Sequence, residues 1–140
     1  MAITNTDAQI RMLEGAVGRD YTAGGSFSIG DPVYVNSSGN VLAARANAAA
    51  TSYAIGIAVA STDGDTSIVS GERVTVCVFG PVGGFAGLVE GGLTYLDSAA
   101  VGLVDAALTG TGKWSHVVGY GERDSVLFVM PAAAAPTSLS

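Results

Sequence analysis

The sequence predicts an all-β domain, a small β-sandwich or barrel-like body with two related halves. Three observations carry that expectation. A strand phrase occurs twice, as Gly30-Asp31-Pro32-Val33-Tyr34-Val35-Asn36-Ser37-Ser38 and as Gly91-Gly92-Leu93-Thr94-Tyr95-Leu96-Asp97-Ser98-Ala99. Each copy leads through small residues to a second phrase, Tyr53-Ala54-Ile55-Gly56-Ile57-Ala58 or His116-Val117-Val118-Gly119-Tyr120-Gly121. Apolar residues also alternate at Val33/Val35, Ile55/Ile57/Val59, Val74/Val76/Val78 and Val126/Phe128/Met130, with glycine-rich turns between them, as half-buried strands require.

In chain order, residues 1–25 read as an N-terminal arm. Ile10, Leu13 and Val17 lie near one helical face, but Gly15 and Gly18 weaken any helix and no cap frames it, so at most a turn or two is expected. Residues 26–131 form the β domain, since many short strands between turns predict a sandwich or barrel. Within it, 43–50 and 105–112 read as long connections, with a helical turn allowed in the first. The face of Ile55–Ala60 that carries only Gly and Ala calls for close packing by another strand layer or another subunit. Residues 132–140 are small and polar at their end and read as a flexible tail.

At 140 residues the chain fits one domain with a core of its own. Twelve acidic residues stand against six basic ones, a formal charge of -6, and the arginines are scattered, which argues against nucleic-acid binding. The single cysteine, Cys77, sits in the apolar run Val74–Phe79 and reads as a small buried hydrophobe. The first residues lack the pattern of a secretory leader and no apolar run approaches a membrane span, so synthesis in a host cytoplasm and no membrane partner are expected.

Each stretch that resembles a site of chemistry lacks a necessary member. Asp63-Gly64-Asp65-Thr66-Ser67 opens like a calcium loop, but Ile68 and Val74 stand where glycine and the bidentate glutamate belong. Gly110-Thr111-Gly112-Lys113-Trp114 ends in tryptophan where a phosphate loop needs a hydroxyl. Gly80–Gly87 reads as a β-corner. His116, the one histidine, has no partner motif for a relay or metal pair and reads as a partly exposed structural or interface residue. No enzyme activity, cofactor or metal is therefore expected.

Taken together, Gly30–Val35, Ile55–Ala58, Gly71–Val76 with Gly80, Gly91–Asp97, Val118–Gly121 and Val126–Val129 resemble the head-decoration, or capsid-cement, proteins of tailed bacteriophages, over about residues 27–131. The resemblance implies a β-rich structural virion protein that binds the outer capsid surface as a homotrimer. It implies the major capsid protein and neighbouring decoration subunits as partners, and an N-terminal arm that locks capsomers together. Ile3, Ile10, Met12, Leu13 and Val17 are the apolar arm residues expected to order on a partner. Gly56, Ala58, Gly83, Gly84 and Phe85 are expected at the subunit interface, where small side chains permit close approach.

The competing class is a head-fibre, tail or adhesive carbohydrate-binding β module. Tyr34, Tyr95, Phe79 and Phe128 fall on core patterns, which leaves Tyr21, Phe85, Trp114 and Tyr120 as scattered exposed rings and a weak sugar platform.

Overall fold

The structure is a computed structural model and describes residues 2–133 and 136–139. It is nearly all β, an antiparallel sheet curled into a half-barrel. The N-terminal region supplies β1 (Ala2–Asn5), β2 (Arg11–Met12), β3 (Val17–Thr22) and β4 (Phe27–Ser28). The first half contributes β5 (Pro32–Val35), β6 (Val41–Ala43), β7 (Gly56–Ser61), β8 (Ser67–Ile68) and β9 (Arg73–Gly83). After β10 (Phe85–Ala86) come β11 (Leu93–Leu96), β12 (Leu103–Val104), β13 (Trp114–Ser115), β14 (Val117–Gly121), β15 (Val126–Val129) and β16 (Thr137–Ser138). The two long connections are irregular, apart from a single 3-10 turn at Ala49–Thr51 in the first.

The repeated phrases are two copies of one four-strand unit. The first half runs β6-β5-β7-β9 across the sheet and the second runs β12-β11-β14-β15. Register agrees residue by residue: Pro32 faces Ile57 and Val33 faces Gly56, as Leu93 faces Tyr120 and Thr94 faces Gly119. Hydrogen bonds agree as well. Gly30 N–H donates to the Ala58 carbonyl and Gly91 N–H to that of Gly121, both at 2.7 Å. The glycine inside each second phrase has a steric cause. A Cβ on Gly56 would stand 2.0 Å from the Cys77 carbonyl oxygen, and one on Gly119 would stand 2.1 Å from that of Phe128.

The halves join where β9 runs beyond the repeat and its residues Gly80–Gly83 pair with Val126–Val129 of β15. Gly80 adopts φ +110 there and brings Ala16 to within 2.6 Å of where its Cβ would be. The connection after β6 ties the halves together again. Arg45 donates from Nε to the Ser98 carbonyl at 2.8 Å and from its terminal nitrogen to that of Ala99 at 2.7 Å, while Ala46 N–H donates to the Asp97 carbonyl.

Residues 2–25 are not an arm. β1 pairs with β10 and β12, and β2 and β3 pair with β9. Ile3 and Ile10 belong to the buried core, together with Val33, Ile57, Val76, Leu96, Leu127 and Val129. The apolar side chains that looked excessive for a solvated segment are spent inside the same subunit, because each edge of the long β9 needs a partner strand. The tail differs from expectation too. Thr137–Ser138 pair with Trp114–Ser115, and Leu139 N–H donates to the Lys113 carbonyl. Met1, Ala134, Ala135 and Ser140 lie outside the described residues.

Candidate functional site

The outer face of the second half carries a line of apolar side chains that the chain itself leaves uncovered. Val17 on β3 lies opposite Phe79 on β9, and these side chains are 51% and 46% exposed. The Phe79 ring meets Phe128 of β15 edge-on at 5.2 Å, and Phe128 stacks on Tyr120 of β14 at 5.1 Å and 18°. Leu93 of β11, 48% exposed, lies opposite Tyr120 and completes the line. Five neighbouring strands thus present one continuous apolar row, whereas single exposed hydrophobics on a surface need no explanation.

The internal repeat shows what such a row is suited to. Leu93, Tyr120 and Phe128 are the equivalents of Pro32, Ile57 and Cys77, and all three of the latter are buried. In the first half the equivalent positions are buried within the chain itself. β2 lies against β7, and the Met12 methyl is 3.1 Å from the Cβ position of Gly18, the residue that faces Cys77. In the second half the same row faces solvent.

The ring assignments from sequence change accordingly. Phe79 and Phe128 occupy alternating strand positions, yet they point away from the core that Leu127, Val129 and Val82 fill. Phe85 is 5% exposed and is a core residue. A period of two marks two faces of a strand but not which of them is covered.

The residues expected at a subunit interface are spent within the chain. Gly56, Ala58, Gly83 and Phe85 are buried in the single subunit, and the close approaches at Gly56 and Gly84 are made by Cys77 and by the Gln9–Ile10 backbone. Of the residues assigned to partner binding, Ile3 and Ile10 are core and Leu13 is half-buried, while Met12 and Val17 remain exposed. Only Val17 joins the apolar row.

His116 is 2% exposed rather than partly exposed. Its Nε2 lies 3.0 Å from the Ala54 carbonyl oxygen and so donates to it, which leaves Nδ1 as a buried lone pair without a partner among the described residues. The Tyr53 ring packs on it at 5.2 Å, and the Tyr53 hydroxyl donates to the Ala133 carbonyl at 2.7 Å. Burial holds its pKa below the usual value, against the opposing effect of the Ala54 hydrogen bond. This places the imidazole at the seam between the halves as a structural residue.

A cleft of about 220 Å3 is lined by Asp7, Ile10, Ile29, Val59, Asp65 and Thr66. Near it, burial pushes Asp31 up to about 6, aided by the charge of Asp7 and opposed by the Ser28 N–H that its carboxylate accepts at 2.9 Å. Among the described residues, no three His, Cys, Asp or Glu side chains come together in a metal-ligating group. Comparison with protein-family models and with curated proteins finds no match for this chain.

Proposed function

We propose that this chain is a structural virion protein, a decoration or cement protein that seats on the outer surface of a phage head and stabilises it. The observation that carries this reading is the apolar row Val17, Phe79, Phe128, Tyr120, Leu93 on a rigid sheet. A cement protein needs a firm β body with one face that gains by losing water, and each such side chain contributes roughly 1.5–3 kcal/mol on full burial before ordering costs. The occupant in this reading is an extended apolar segment or loop of the major capsid protein or of a neighbouring decoration subunit. Trimeric assembly on the capsid belongs to the same proposal, through contacts other than Gly56, Ala58 and Phe85.

Co-sedimentation with expanded empty heads of the phage that carries the gene tests the reading. The wild-type chain pellets with heads, and Phe79→Ser combined with Leu93→Ser weakens that association by at least about tenfold. A wild-type protein that stays in the supernatant at saturating head concentration sinks the proposal.

One observation favours a second reading, an adhesive carbohydrate-binding module. Phe79, Phe128 and Tyr120 form a contiguous set of rings rather than scattered ones. Aromatic faces can stack on sugars, and a glycan array that retains the wild type but not Tyr120→Ala, with no head binding, would choose this alternative.

A further inference from the structure

We propose that the free edge of β3 pairs antiparallel with β3 of a second copy of this chain. β3 uses one edge to pair with β9 from Val17↔Phe79 to Thr22↔Arg73, and no other strand of the described residues pairs with it before Ala23, which bridges to Val41 of β6. Val17, Gly18, Arg19 and Asp20 are exposed, and Tyr21 and Thr22 are half-buried. The outward backbone groups of such an edge are a template for strand addition.

The side chains choose the occupant and the register. In a two-fold antiparallel pair centred between Arg19 and Asp20, Arg19 of each copy faces Asp20 of the other. Two opposite-charge pairs form. The same register sets Val17 opposite Thr22, two β-branched residues. Centring the pair on either charged residue instead would oppose like charges. The adjacent opposite charges of β3 are complementary to themselves in this register.

Sedimentation of the full chain at about 100 µM, with charge reversal, tests the contact. At that concentration the wild type has a higher average mass than either R19D or D20R, since each single variant opposes like charges in both pairs and raises the dissociation constant by at least about tenfold. The double variant R19D/D20R restores the wild-type mass, and so does mixing the two single variants, which sets an acidic edge against a basic one. R19D leaves the hydrogen bond from Thr75 to Asp20 untouched, and far-UV circular dichroism confirms that each variant is folded. A monomeric wild type, or an assembly indifferent to the reversals, overturns the proposal. The edge and the apolar row share Val17 but not Arg19 or Asp20, so a charge-reversal variant that no longer pairs but still binds heads leaves the functional reading standing.

Discussion

Single atoms decide whether the repeat can exist, and the two phrase glycines show it most plainly. A methyl group at Gly56 or Gly119 would overlap a neighbouring strand's carbonyl oxygen, so Gly56→Ala and Gly119→Ala each cost about 1–3 kcal/mol in urea unfolding as the ladder spreads to admit them. His116, which is buried, and Asp31, which is half-buried, respond to pH with opposite signs. His116 has its folded pKa below the ordinary 6.5, so the unfolded chain takes up the proton first. Its contribution is complete above that value and is lost as pH falls below it. Asp31 is the reverse: its pKa rises from 3.8 to about 6 on folding, so its contribution is complete below 3.8 and is lost as pH rises through 6. Asp31→Asn keeps an oxygen acceptor for the Ser28 N–H and removes the charge. It therefore stabilises the protein at pH 7 relative to wild type, and the gain shrinks toward pH 4 in thermal melts. A gain that is equal at both pH values would show that the carboxylate is not strained by burial.

At the scale of elements, the same strand position serves opposite purposes on opposite faces. Leu127 is fully buried and Phe79 is nearly half exposed, although β15 and β9 pair as neighbours. Leu127→Ala should cost about 2–5 kcal/mol, whereas Phe79→Ser should stay within about 0.5 kcal/mol and register only in partner binding. The N-terminal strands give a third comparison. Deleting residues 2–20 removes Ile3 and Ile10 from the core and strips β9 of most of its β3 partner, so the truncated chain melts far below the wild type or fails to fold. A truncated protein with an unchanged melting temperature would restore the free-arm expectation.

For the whole molecule, two equivalent units share one core because β9 continues from its own unit into pairing with β15. The contacts of Arg45 with Ser98 and Ala99 and the packing of Tyr53 on His116 cross the same seam. Unfolding is therefore a single transition in which Trp114 fluorescence, reporting from the seam where the Trp114 backbone N–H donates to the Ala46 carbonyl, coincides with far-UV circular dichroism. Arg45→Ala lowers the midpoint of that transition, by about 1–2 kcal/mol for two charge-assisted hydrogen bonds to carbonyls, without separating the two probes. Separate midpoints for the two signals would mean that the halves fold as independent units.

The sequence by itself determined the all-β class, the duplication and the turn positions. These rest on local causes: alternation along strands, glycine where the backbone turns or a neighbour crowds, and the same order of phrases in both halves. It also marked Cys77 as buried, as the structure has it. What covers each face was decided only by the tertiary structure. Ile57 and Tyr120 occupy equivalent positions in equivalent strands, yet the first is fully buried and the second only half-buried. Residues 2–25 showed weak helical spacing because their pairing partners, Ala86, Leu103 and the length of β9, lie 50 or more residues away along the chain. Burial is a property of two surfaces brought together by the fold, and a residue's own neighbours in sequence carry no record of the second surface.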